Sequence, residues 1–573
     1  MQKQFLFYTF LLLSSVLFSQ KKENLNTEEV TVVKPYTPTV NNALKINTNP
    51  VIDSTDILAK KNIQYTILSF PVASTFNPAK GKAKALKKVP KEYFYDNYIS
   101  LGYGNFSTPT VEIFAHSNTS RYNDFGGFLN YHASGGGIEN IQLDDSFLNF
   151  GADLFYKQTE RDFKWQIDLG AHHQSINWYG LSEKIDFSET FLQSIQEKQT
   201  YSDIELGGEI EFFDSLAHRG NVKFSHFFDN TNTNEEYGFI GGVLDFPIGQ
   251  EMVYTEISFE FLNTNFDSNY NNTNALESTF FNIGFKPSFE ILRDNLTINL
   301  GAKLYYSLAD RQVSKENQFY IYPDITASYK IANDTFIAYG GVTGDLQQNS
   351  YKNFVSENPF VSPTLNIQQT SQQFNAFAGI KGLLNEQIRF NFKAAYISET
   401  DKPLYLLNTS KTNGIIPVNE GYEAGNSFQV VYDDVNTIKV SGELIMDINE
   451  DFKFGGNFEF NSYSLDKQQE AWNLPAIKAT LLAKYTAKKW YVGTELFFAS
   501  ERKDLFSTTF TSPVLITNEA YFDINFNGLY NINDKFAVFV NANNILGNNY
   551  QEYTNFEVQG LQFLGGITYK FDF

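Results

Sequence analysis

Asp144-Asp145, His172-His173, Asp433-Asp434 and the triplet Gly102-Tyr103-Gly104 are the stretches whose residue types could do chemistry. Adjacent carboxylates bring a calcium loop to mind, yet neither Asp pair has the alternating oxygen ligands that such a loop requires. His172 and His173 are neighbours on an extended segment, so their side chains point to opposite faces and cannot share a ligand. The "GYG" triplet lacks the third glycine and the following helix of a dinucleotide loop. No serine nucleophile elbow, zinc-type histidine spacing or phosphate loop occurs in the chain. Cysteine is absent, which removes thiol chemistry, a disulfide framework and a lipid-attachment site. The expectation is therefore a protein that is not an enzyme and holds no metal or cofactor.

The elements that carry these residues are more informative than the residues. The chain has 573 residues with 56 Phe and 34 Tyr, while mean hydropathy is −0.32. A formal charge of −21 argues against nucleic acid as a partner, since phosphate binding needs clustered Lys and Arg. At the N-terminus, Lys3 followed by the apolar run Phe5–Phe18 and "SQ" at Ser19-Gln20 reads as an export signal over residues 1–20. After it, no apolar run approaches the ~20 residues of a membrane-spanning helix. Alternation replaces it. Leu296, Ile298, Leu300, Ala302, Leu304 and Tyr306 fall on one face, against Thr297, Asn299, Gly301 and Lys303 on the other. The stretches around 148–156, 319–331 and 388–396 repeat this, which predicts strands with one apolar and one polar face.

Connection lengths separate a soluble sandwich from a membrane barrel. Short polar turns recur at 159–162, 292–295, 332–335, 384–387, 449–451 and 531–534, with long loops near 175–198, 263–278, 347–370, 401–425 and 502–518 between them. Tight turns alternating strictly with long loops imply an all-β transmembrane antiparallel β-barrel of about 22 strands over residues 95–573, in the outer membrane. Residues 427–448 are taken as one long strand, because two would break the parity. Polar lumen-facing residues, including Asn149, Asp153, Asn299, Lys303, Arg389, Asn391 and Lys393, are the candidates for holding material in the lumen by hydrogen bonds and charge pairs.

Both ends of the chain resemble the TonB-dependent receptor family. Residues 536–571 are similar to that family's closing hairpin, with Asn544-Ile545-Leu546 and Tyr550 at the turn, although Gln559-Gly560-Leu561 lacks the family's arginine. Residues 99–118 resemble its first barrel hairpin. "EEVTVV", Glu28, Glu29, Val30, Thr31, Val32 and Val33, resembles the segment that pairs with a TonB-type energy-coupling protein, by adding an edge strand to it. Tyr569, Phe571 and the terminal Phe573 resemble the signal read by the barrel-insertion machinery. Residues 21–94 are shorter than the family's plug and end in six lysines between Lys80 and Lys91, so a plug is expected to be truncated or missing. The lysine run suits a solvated linker, or anionic groups at a membrane surface.

A barrel this wide needs its lumen sealed. The candidates are residues 21–94, infolded loops such as 347–370 and 401–425, a surface lipoprotein or another partner. The resemblance implies uptake of a solute across the outer membrane. The alternative is a scaffold barrel, without transport, in an outer-membrane protein complex.

Overall fold

The computed structural model describes residues 95–120, 122–248, 251–312, 314–332 and 335–573. The signal segment, the TonB-box-like Glu28–Val33 and the lysine run all lie outside the described residues.

The wall begins with β1 (Asn97–Gly104), β2 (Thr108–Ser120), β3 (Asn123–Ser134), β4 (Phe147–Thr159), β5 (Phe163–Asn177) and β6 (Lys198–Phe212). It continues through β7 (Ala217–Asp229), β8 (Asn234–Ile248), β9 (Glu251–Phe266), β10 (Leu276–Arg293), β11 (Leu296–Arg311), β12 (Ser314–Ala332) and β13 (Phe336–Gln347). Next come β14 (Thr370–Asn385), β15 (Ile388–Leu407), β16 (Phe428–Asp447), β17 (Phe452–Leu465), β18 (Ile477–Thr486) and β19 (Trp490–Ala499). A hairpin of β20 (Arg502–Thr508) and β21 (Thr511–Asn518) stands outside the wall, which resumes with β22 (Tyr521–Asn531) and β23 (Phe536–Asn543). The short pair β24 (Gln551–Tyr553) and β25 (Phe556–Glu557) precedes β26 (Gln562–Phe571). Each wall strand pairs antiparallel with the next, and β26 pairs with β1 from Asn97↔Phe571 to Gly104↔Leu564. The result is a closed sheet of 22 strands.

Closure is what permits this chain to sit in hydrocarbon, where an unpaired edge would leave backbone donors and acceptors without partners. The expected alternation holds. Leu300, Ile321, Ile325, Leu154 and Phe392 are 42%, 65%, 44%, 58% and 53% exposed on the outer face, where a soluble protein would bury them. Around the turn end stand outward aromatics, with Tyr485 against Trp490 at 5.3 Å and Phe536 against Tyr569 at 4.7 Å. Such a ring marks the membrane interface of an outer-membrane barrel. Residues 428–447 form one strand, as the parity argument required.

All six expected short turns lie at one end. The opposite end departs from strict alternation: 105–107, 230–233 and 312–313 are tight connections among the long loops. Left-handed residues permit two of them, Phe106 and Ser107 at φ 59° and 51°, and Asn232 at φ 62°. At 312–313 the ladder of β11 and β12 itself continues to Arg311↔Ser314. The loop expected at 401–425 starts later, because β15 remains paired through Leu407↔Phe428.

Cysteines introduced singly at Asn271 and Ile415, on the loop end, should react with a membrane-impermeant maleimide in intact cells; those at Glu386 and Asp534, on the turn end, should react at most ~10% as much, since turns face the periplasm. The chain's lack of cysteine gives a clean background. The reverse labelling pattern would invert the topology.

Candidate functional site

The loop end is folded into the barrel. The β5–β6 loop carries a one-turn helix, α1 (Glu189–Leu192). In the β13–β14 connection, Ser350 caps a second short helix, α2 (Tyr351–Glu357), its hydroxyl accepting from the Asn353 amide at 3.1 Å. Tyr351, Phe354 and Val355 share one face of α2 at helical spacing, and all are buried. Their neighbours Tyr201, Phe227, Leu262, Phe266 and Phe280 come from the inward faces of β6, β7, β9 and β10, so α2 lies inside the wall. Edge-on ring contacts of Tyr351 with Phe266 at 5.1 Å and Phe227 at 5.5 Å define the seat.

Polar groups hold α2 there. Glu235 of β8 accepts from the amides of Tyr351 and Lys352 at 2.7 and 3.0 Å, which places a carboxylate on the unsatisfied donors of the helix start. Lys352 donates to Asp203 of β6 at 2.6 Å and also to Glu205, two residues along the same inward face. The Tyr351 hydroxyl donates to Asp229 at 3.0 Å, and the Tyr201 hydroxyl to the Pro359 carbonyl at 2.8 Å. Burial and the charge of Asp229 push the Tyr351 phenol well above its usual range, so it stays a donor.

Other loops interlock above and beside α2. Val361 bridges to Phe428, and Ser362 donates to the Phe428 carbonyl at 2.8 Å. Asn426 donates to the Trp178 carbonyl at 2.7 Å. Asp504 of β20 is fully buried and gathers three loops, accepting from the Leu407 amide, Asn473 and Thr554 at 3.1, 2.9 and 2.5 Å. Its burial raises the carboxyl despite these donors. Arg502 donates to the Gln551 and Glu552 carbonyls and lies 5.1 Å over the Tyr521 ring.

Several residues singled out in the sequence belong to this pinning. Asp145 accepts from the Gly137 and Ile138 amides, and Asp433 from the Asp434, Lys467 and Gln468 amides. Both hold loops. His172 faces inward between Asp153 at 3.1 Å and Asp203 at 3.4 Å, whereas His173 meets Ser202 on the outer face. Among the described residues no group of three His, Cys, Asp or Glu is placed to hold a metal ion. Asn544 is left-handed at φ 48° and bonds Asn548 and Gln559, and Tyr550 stacks on Tyr521 at 4.1 Å. Tyr569, Phe571 and Phe573 stand in line on the outer face beside the β26–β1 seam, with Phe573 84% exposed.

Among the described residues, the expected lumen anchors make contacts within the wall. Asn299 bonds Thr326, Lys303 bonds Asp345, Arg389 bonds Asp447, Asn391 accepts from Tyr339, and Lys393 lies over the Phe377 ring. The residues that do hold the infolded loop, Asp203, Glu205, Asp229 and Glu235, went unrecognised in the sequence; the signal was "SYKNFVSE", a serine cap before apolar residues at positions 1, 4 and 5 of a helix.

Between the loops lies a cavity of about 300 Å³. Phe147, Tyr179, Phe360, Tyr553 and Phe556 form its aromatic walls, with Phe360 and Phe556 stacked at 3.6 Å. Asp145, Glu357, Glu552 and Glu557 are its charged residues. A smaller cavity of about 160 Å³ adjoins it across Tyr179 and Glu557 and adds Glu139 and Glu183. Glu557 is raised by burial and by the charge of Glu183.

No family model and no curated protein matches the chain. Solved structures do. The pyoverdine outer-membrane receptor FpvA from Pseudomonas aeruginosa, bound to pyoverdine, aligns over 84% of this chain and 79% of its own, at 13% identity and a TM-score of 0.61. The FrpB iron transporter from Neisseria meningitidis aligns over 84% and 83%, at 8% identity and a TM-score of 0.62. The siderophore receptor PiuA from Acinetobacter baumannii aligns over 83% and 82%, at 9% identity and 0.58. These identities establish likeness of fold: the chain has the 22-stranded outer-membrane barrel of TonB-dependent receptors, as the resemblance at its two ends implied.

Replacing Lys352 by Met removes the cation shared by Asp203 and Glu205. Amide exchange over residues 351–358 should then accelerate about tenfold, the equivalent of ~1.4 kcal/mol and near the low end for charge-assisted hydrogen bonds, while the β14 ladder is unchanged. Unaltered exchange in α2 would show that the apolar seat alone holds the loop.

Proposed function

We propose that this chain is an uptake receptor, which binds a solute at the loop end of the barrel and passes it inward across the outer membrane. The observation that carries the proposal is the infolded mouth: α2 and the loops around it share one buried cluster with inward wall residues. A mouth closed by buried aromatics and carboxylates is unsuited to passive diffusion, so passage requires the loops or the lumen contents to move. Energy for that movement comes, in this proposal, from a TonB-type coupling protein that adds Glu28, Glu29, Val30, Thr31, Val32 and Val33 as an edge strand. The solved barrels of the same fold include a pyoverdine receptor and an iron transporter, which supports the transport class without naming a substrate.

Two partners complete the proposal. The insertion machinery reads Tyr569, Phe571 and Phe573, which lie on the strand whose pairing with β1 closes the barrel. Surface proteins such as a lipoprotein have the loop end available to them. The scaffold alternative predicts an intact barrel whose function ignores the coupling segment.

Strand addition depends on a backbone ladder, so Val32→Pro removes a donor that Val32→Ile keeps. Barrel levels in the membrane should be equal in the two variants. Cross-linking of residues 28–33 to the periplasmic coupling protein should fall at least ~10-fold with proline and stay unchanged with isoleucine. Equal cross-linking and equal function in both variants would favour the scaffold.

A further inference from the structure

We propose that the aromatic cavity at the loop end binds an organic cation, an ammonium or guanidinium group carried on an apolar body. The inference rests on the uptake proposal for its biological purpose and on the cavity alone for its chemistry.

Five aromatic rings, Phe147, Tyr179, Phe360, Tyr553 and Phe556, wall the cavity, and aromatic faces attract cations through their quadrupole as well as apolar surface by burial. Every charged lining residue is a carboxylate: Asp145, Glu357, Glu552 and Glu557. Among the described residues none of the four carboxylate groups has a Lys, Arg or His nitrogen within 4.0 Å; Arg502 reaches the backbone carbonyl of Glu552, not its carboxylate. Carboxylates elsewhere inside the barrel are matched by cations, as Asp203 and Glu205 are by Lys352 and Glu256 is by Lys286 at 2.7 Å, or are held by several neutral donors, as Glu235 and Asp504 are. What this cavity adds is four carboxylates gathered around aromatic walls. Glu139 and Glu183 in the adjoining cavity extend the same sign beyond it, so the field draws cations toward the aromatic walls.

A bare divalent ion fits poorly, because the described residues offer no convergent group of three ligands. The charge is spread around a space of about 300 Å³, at the lower end of small-molecule sites. A neutral apolar molecule would leave the carboxylates uncompensated in its presence. An anion would meet them directly. An organic cation satisfies both surfaces: the charged head faces Glu357, Glu552 or Glu557, and the body lies against the rings.

The test uses the full chain, purified and folded in detergent, with calorimetric titration of benzyltrimethylammonium, its neutral isostere 2,2-dimethylpropylbenzene, the anion 4-tert-butylbenzoate, and calcium chloride. The cation should bind saturably, at least ~10-fold more tightly than the neutral compound, and more weakly in ~0.5 M than in ~0.1 M NaCl. Glu552→Gln with Glu557→Gln keeps side-chain shape and hydrogen bonding, and should weaken the cation about tenfold while the barrel retains heat-modifiable migration. Lys393→Met, on the wall strand β15 and outside the cavity lining, should leave the affinity unchanged. Equal binding of cation and neutral isostere, preference for calcium or the anion, or indifference to the double substitution would each overturn the proposal. Coupling plays no part in this titration, so failure here leaves the uptake proposal standing, and loss of coupling leaves the binding result standing.

Discussion

Every backbone donor and acceptor inside a bilayer must find a partner within the protein, and the pairing of β26 with β1 is where this chain meets that demand. Without that seam the sheet would present two long unpaired edges to hydrocarbon. With it, strand after strand needs only to alternate, and the outer face can carry Ile321 or Phe563 at 65% and 55% exposure because lipid, not water, surrounds them. The terminal aromatics stand beside the seam, on the residues added last to the ladder. Closure thus depends on the same few positions at which the proposed insertion signal lies.

Closing 22 strands encloses a wide lumen, and the inner wall deals with it by charge. Most inward ionic groups pair with neighbours across one or two strands, as Lys303 does with Asp345, and stiffen the wall. A second set reaches away from the wall. Asp203, Glu205, Asp229 and Glu235 accept from a single short helix, turning part of an outer loop into lumen structure. Carboxylates that resemble ligands in the sequence, Asp145 and Asp433 among them, are spent on loop amides. The cavity carboxylates Glu357, Glu552 and Glu557 differ from the first set in having no cation paired with the carboxylate group, and from the second in lining an aromatic cavity together.

The wall was legible because period-two alternation and turn parity are local properties, visible in segments such as 296–306 and confirmed strand by strand. Even the choice of one strand at 428–447 followed from counting turns. Loop lengths were less legible. The tight connection at 230–233 depends on Asn232 adopting a left-handed backbone and on Asp229 accepting from Thr231 and Thr233, a combination no single residue announces. The infolded loop was expected as a candidate filler, but the residues that hold it are others than the expected lumen anchors Lys393 and Asn299. Inward direction along a strand can be read from alternation. Which inward residue meets a loop 150 positions away, as Asp203 meets Lys352, depends on how far that loop reaches into the lumen.

The central claim is that an outer loop is held inside the barrel by its charged contacts with β6. Zero-length carbodiimide cross-linking of the folded chain, followed by peptide mass spectrometry, tests it directly, because only carboxylates in contact with an amine are joined. The account predicts an amide bond between Lys352 and Asp203 or Glu205, with Lys352 resisting acetylation relative to the 80%-exposed Lys315. Acetylation of Lys352 as fast as that of Lys315, with no cross-link to β6, would place the loop outside the lumen and contradict the account.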